Sequence, residues 1–209
     1  MASGRSASNT QSGNSGQLAM PTSPLRFKEF DYDPHNLPRS LLEAIGLAIA
    51  CGAQTEMAIS MAIGGCLGLD VGYTAAATTH MTLPLKFSVL RSAAEIRIDD
   101  LDDLDTLDEL LDAADKALGK RHEIAHARWC RDPDNGALFR EKQVARTRVE
   151  AERIPITAYA IKADAEVIYQ AGMDLVSFLA QRDLMPPIPA QILPRAHKSK
   201  AARKKRRKQ

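Results

Sequence analysis

The stretch LDDLDTLDELLDAADKALGKRHEIAHARW, residues 101–129, decides the fold. Leu104, Leu107, Leu111, Ala114 and Leu118 recur at alternating spacings of three and four, the apolar stripe of an amphipathic helix. Continuing that count past Leu118 lands on Arg121 or His122, then Ala125, then Trp129, so a cation or an imidazole stands where the stripe asks for leucine. A polar group turned inward is costly unless it is paired, hydrogen-bonded, or set at a cleft or interface. Lys120 to Trp129 is therefore the candidate functional segment. The 10 carboxylates from Glu95 to Asp115 read as the solvated face of the same helix, without the spacing of an EF-hand.

Toward the N-terminus, Leu37 to Leu69 is the most apolar region, with Leu42, Ile45, Ile49, Ala53, Ile59, Ile63 and Cys66 at roughly helical spacing. Glu43, Gln54, Thr55 and Glu56 divide it into apolar pieces of 10 and 13 residues, shorter than the roughly 20 needed to span a bilayer. A core helix is expected, opened by Pro38, and no membrane span. A glycine-containing loop follows. Thr82 then reads as the N-cap of a helix carrying Leu83, Phe87, Leu90 and Ala94, with Pro84 in its first turn. Toward the C-terminus, Asp132-Pro-Asp-Asn-Gly136 is a turn signal, and Ala137 to Gln143 and Arg146 to Ile156 read as two short strands of a hairpin or extended arms. Thr157 opens a last helix to about Arg182, with Ile161, Ala165, Ile168, Gly172, Leu175 and Leu179 inward, and Pro186, Pro187 and Pro189 end it.

These elements predict an all-α class, an up-and-down helical bundle with a short β-hairpin or extended arm. Hydrophobic residues make up 44% of the 209, and aromatics only 5%, a balance suited to helix packed on helix. Residues 1–24, rich in Ser, Gly, Asn, Thr and Gln, are expected to be a disordered polar tail. Residues 25–190 form a single helical domain, and 191–209 a disordered basic tail. Cys51, Cys66 and Cys130 show no metal or disulfide spacing, and with no secretory apolar region they predict reduced thiols in the cytoplasm. Arg195 to Gln209 holds 9 of the 28 Lys and Arg residues and no acid. Such a segment attracts phosphate, headgroups or an acidic partner without reading bases.

Two motifs overlap in the candidate segment. His122-Glu-Ile-Ala-His126 satisfies H-E-x-x-H, which on a helix offers two imidazoles for zinc, with Glu123 as base toward a metal-bound water, the pattern of a metallopeptidase. Against zinc stand the charge of Arg121 beside the first histidine and the lack of a helical third ligand downstream, where Glu150 and Glu152 fall in the extended arms. The second motif is Arg121-x-x-x-x-His126, with a polar residue after the arginine and Ala125 before the histidine.

That motif, followed by Trp129 and set between an acidic leucine helix and one more amphipathic helix, resembles the HEPN superfamily of small helical domains. The resemblance covers roughly Pro38 to Leu184 as an arrangement of helices, and its specific residues lie within Arg121 to Trp129. It implies a homodimer and a metal-independent ribonuclease of defence or toxin–antitoxin type, needing no cofactor. It also implies Arg121 as phosphate and transition-state stabiliser and His126 as the proton-moving group. His122 stands where the family usually has Asn or Asp, and Ala127 where Gly is frequent. Members with a structural or binding role make a noncatalytic dimerisation or RNA-binding module the alternative.

General chemistry agrees with RNA as substrate. Imidazole exchanges a proton near neutral pH, a guanidinium fork suits phosphate oxygens, and RNA supplies its own 2′-hydroxyl nucleophile. Five helical steps put Arg121 and His126 roughly 140° apart, so the resemblance implies a composite site at a twofold axis. If RNA is the partner, deleting Arg195 to Gln209 should weaken binding and flatten its salt dependence by about 0.7 for each phosphate the tail neutralises, read by anisotropy titrations across a salt series.

Overall fold

The computed structural model describes residues 30–145 and 149–188. The polar tail expected at 1–24, the basic segment Arg195 to Gln209, Pro189, and Arg146 at the expected start of the second strand lie outside these residues. In chain order the elements are α1 (Arg39–Cys66), α2 (Val71–Thr78), α3 (Leu83–Arg97), α4 (Leu101–His126), β1 (Arg128–Arg131), β2 (Leu138–Ala145), β3 (Val149–Pro155) and α5 (Ala158–Gln181). The described chain is thus mostly helical, as expected. Its β part is larger than a lone hairpin, an antiparallel sheet in the order β1-β2-β3.

Local sequence sets the helix ends. Asp100 caps α4 by accepting from the backbone N–H of Asp102 at 2.9 Å, and Thr157 caps α5 by accepting from Ala160 N–H at 3.1 Å. After α1, Gly68 takes the left-handed conformation at φ 65°, and Gly68 and Leu69 N–H return to the carbonyls of Gly65 and Gly64 at 3.1 and 2.8 Å. This Schellman closure stops the helix where the apolar run ends. The loop expected after it contains α2, capped by Asp70, which accepts from Tyr73 N–H at 2.9 Å. Asp70 was the available signal, and the Gly, Thr and Ala of this segment carry no apolar stripe strong enough to override a loop reading.

The core lies between α1 and the other helices. From α4 come the buried Leu107, Leu111, Ala114 and Leu118, with Leu104 partly buried, and from α5 come Ile161, Ala165, Ile168, Gly172, Leu175 and Leu179. Both stripes match the sequence spacing. On α1 the expected face needs correction: Leu42 and Ile49 are exposed, whereas Leu41, Ala44, Ala48, Gly52 and Thr55 turn inward. Apart from Leu41, the inward residues here are small and let a neighbouring helix approach closely, while Leu42, Leu47 and Ile49 are left outside. By length and composition α1 could cross a membrane, with 33% of its most apolar window buried.

α1 and α5 meet at close range. The Thr55 hydroxyl, fully buried, donates to the Ile168 carbonyl across the interface at 2.7 Å, and it also lies 3.1 Å from the Cys51 carbonyl of its own helix. Gly172 makes this possible, since a Cβ there would stand 2.7 Å from Thr55 Oγ1 and 3.0 Å from its Cα. Gly46, also on α1, meets nothing within 4 Å. Urea denaturation should therefore show opposite signs for one chemical change. Gly172→Ala should lose about 1–3 kcal/mol through overpacking against backbone, and Gly46→Ala should gain up to about 1 kcal/mol from helix propensity.

Candidate functional site

Of the two positions the periodicity allowed, Arg121 or His122, the inward stripe of α4 continues through Arg121 and leaves His122 outside, and the site takes its shape from that. Arg121 is half-buried and its aliphatic stem lies over Gly52 of α1, where an added Cβ would come within 2.6 Å of its Cγ. Its Nε is buried without a hydrogen-bond partner. His122 and His126, one turn apart on the outer face, are exposed, with ring centroids 4.4 Å apart and planes inclined by 49°. The structure therefore brings the two histidines together and turns Arg121 away from them within one chain.

At His126 the helix stops. Ala127 takes extended angles and the chain enters β1, so Trp129 sits on a strand and not on the helical stripe. It is half-buried against the helical core. The turn Asp132 to Gly136 then reverses the chain: Gly136 takes φ 72°, its N–H bonds to the Asp132 carbonyl at 2.8 Å, and Asp132 N–H bonds to the Ala137 carbonyl at 2.8 Å. β2 returns antiparallel to β1, pairing Arg128 with Glu141 and Trp129 with Arg140. This register carries cations on β2 back to the end of α4.

The result is a cleft of about 370 Å³ lined by His122, Glu123, His126 and Ala127 from the end of α4, Arg128 from β1, and Arg140, Glu141 and Lys142 from β2. Three cations and two imidazoles thus face two carboxylates. Glu123, the candidate base of the zinc reading, accepts from Arg140 Nη1 at 2.8 Å and lies 3.9 Å from Lys142 Nζ. Among the described residues no group of three or more His, Cys, Asp or Glu side chains is arranged to hold a metal ion.

Glu141 differs from Glu123. Only 3% of its side chain is exposed, and it pairs with Arg128 at 3.0 Å and Arg153 at 3.2 Å. Tyr32 donates its hydroxyl to the same carboxylate at 2.5 Å, and this bond pushes the phenol above its ordinary pKa, with burial adding to the effect. Arg128 stacks on the Tyr32 ring and Arg153 on Phe30, 4.6 and 4.4 Å from the ring centroids. Cys130 is buried beside this cluster, and burial raises its thiol pKa, as it does for Cys66 and Cys51. All three cysteines are free.

Sequence reasoning found the histidine pair but not Arg128, Arg140, Glu141 or Lys142. The signal for them was the alternation Phe139-Arg-Glu-Lys142, which puts Arg140 and Lys142 on one strand face. Which helix end they meet depends on a register that only the turn sets. No family model, curated protein or solved structure matches this chain.

The Gly52 notch can be tested by a double-mutant cycle in urea. Gly52→Ala should cost about 1–3 kcal/mol in the wild-type background. With Arg121→Ala in place the cost should fall by at least about 1 kcal/mol. Additive effects would mean that Arg121 does not occupy the notch in solution.

Proposed function

We propose that the protein is a metal-independent endoribonuclease of the kind the HEPN resemblance implies, with His126 and His122 as its proton-moving groups. The single observation that supports this reading is the cleft itself, where two adjacent, exposed imidazoles share a lining with Arg140, Lys142 and the Glu141-bound Arg128. Such a set suits a phosphodiester. One imidazole takes the proton of the 2′-hydroxyl as that oxygen bonds to phosphorus. A second, protonated imidazole delivers a proton to the departing 5′-oxygen as its bond to phosphorus breaks, leaving a 2′,3′-cyclic phosphate and a 5′-hydroxyl. The cations neutralise the charge that builds on the phosphoryl oxygens.

The same reading makes the protein a homodimer, because only a second copy would bring an Arg121 to the histidine pair. The basic segment Arg195 to Gln209 adds salt-dependent attraction for the strand. A noncatalytic RNA-binding module is the second reading. It is favoured by the Arg121 stem resting over Gly52 and by the pairing of Glu123 and Glu141 with the cations of the cleft.

Cleavage of a mixed-sequence RNA in excess EDTA separates these accounts. His126→Ala should lower the rate by roughly 100-fold to 10,000-fold while circular dichroism and sedimentation stay unchanged. His122→Asn, which leaves a side chain unable to carry the second proton, should lower the rate as well. Wild-type rates for a folded His126→Ala variant would make the noncatalytic module the account, and cleavage lost in EDTA but restored by zinc would overturn the metal-independent mechanism.

A further inference from the structure

Glu123 and Glu141 both line the cleft, yet their surroundings give them different freedom. Glu141 is enclosed and bound on three sides by Tyr32, Arg128 and Arg153, so it stays in place. Glu123 is 48% exposed, projects from the outer face of α4, and among the described residues forms its ion pairs with the two cations of β2. The bond to Arg140 Nη1 is well formed at 2.8 Å, whereas Lys142 Nζ at 3.9 Å is beyond hydrogen-bond length. Arg140 is itself only 20% exposed, and its Nε is buried with no hydrogen-bond partner. The carboxylate therefore engages Arg140 through one terminal nitrogen, and the buried Nε is closed to solvent.

We propose that Arg140 and Lys142 form a seat for one phosphodiester anion, and that the Glu123 carboxylate occupies this seat in the free protein until the ligand displaces it. A guanidinium binds phosphate oxygens through charge-assisted hydrogen bonds from its terminal nitrogens. A free anion, not tethered to α4 as the Glu123 carboxylate is, contacts the terminal nitrogens of Arg140 and Lys142 Nζ together. Displacement costs little, because Glu123 turns into water from an exposed helix face. An exposed ion pair of this type contributes little to stability. Arg140 keeps its position because β2 holds it opposite Trp129. With the anion seated there, the adjoining sugar lies against His122 and His126 across the same cleft. Glu123 thus sets a threshold: weak or singly contacting anions leave it in place, and a phosphodiester that engages both cations removes it.

The inference rests on reading this cleft as a phosphate site, and its test is independent of cleavage. A short thymidine oligodeoxynucleotide, which has no 2′-hydroxyl, serves as probe, with inorganic phosphate as the minimal anion. Glu123→Gln should tighten binding of the oligonucleotide by about threefold to tenfold. Arg140→Lys, which keeps the charge but removes the fork, should weaken it by about tenfold. In nitrogen-edited NMR spectra, phosphate should shift the Arg140 Nε–H signal at lower concentration in Glu123→Gln than in wild type. Unchanged or weaker binding by a folded Glu123→Gln variant would overturn the proposal, as would a phosphate titration that leaves the Arg140 signal unmoved. Tighter binding without RNA cleavage by the wild-type protein would uphold the seat and remove only the ribonuclease reading.

Discussion

The hydrogen bond from Thr55 to the Ile168 carbonyl, made where Gly172 has no side chain, is the contact on which the rest of the arrangement depends. It fixes α1 and α5 at close range, and α4 then packs against both. One turn before Thr55 on α1, Gly52 receives the stem of Arg121 from α4. α1 therefore meets its two neighbours a turn apart, placing Thr55 in the Gly172 notch of α5 and receiving Arg121 of α4 in its own Gly52 notch. The position of the Arg121 stem in turn sets the rotation of α4 about its axis, and that rotation decides that His122 and His126 face outward. A change at the α1–α5 contact is thus felt at the cleft through two rigid elements rather than through any direct contact.

Much of this was legible in the sequence, unevenly so. The α4 and α5 stripes are written in large apolar residues, and their periodicity identified the inward faces correctly. On α1 the same rule selected Leu42 and Ile49, which are exposed, because after Leu41 the inward face there is built from Ala, Gly and Thr. Periodicity of large residues is blind to a face chosen for closeness of approach. The roughly 140° separation of Arg121 and His126 followed from helical geometry alone, and the outward turn of the histidines agrees with it. The β2 cations were not legible as site residues, since strand alternation gives a face but not the register that carries Arg140 to Glu123. α2 was not legible either, because its cap is one residue and its composition is that of a loop.

The acidic run of α4 also proves more specific than a solvated face. Asp103 accepts two bonds of 2.6 Å from Arg182 beyond the end of α5, and those bonds hold its carboxyl below the usual carboxylate range. Asp108 and Asp112 pair with Arg91 of α3, and Lys120 on α4 bonds to Asp164 of α5 at 2.6 Å. Each pair is exposed and individually modest in energy. Together they tie the outer surfaces of three helices whose inner surfaces are already joined by leucine, so charge here selects the register that hydrophobic packing alone would leave loosely specified.

The sheet is completed from a distant part of the chain. Asp31 bridges Arg131 through two backbone hydrogen bonds of 2.9 Å, and Tyr32 reaches Glu141, 109 residues away. β2 pairs with the strand that follows it in the chain, whereas the Tyr32 contact must close a loop spanning more than half the protein, and the entropic cost of closure grows with loop length. Non-local pairings of that kind slow folding relative to helix-local contacts. On a ribosome Tyr32 emerges before α1 to α4, and its carboxylate partner emerges only after those four helices. The wall of the cleft is therefore among the last parts of the molecule that synthesis allows to form.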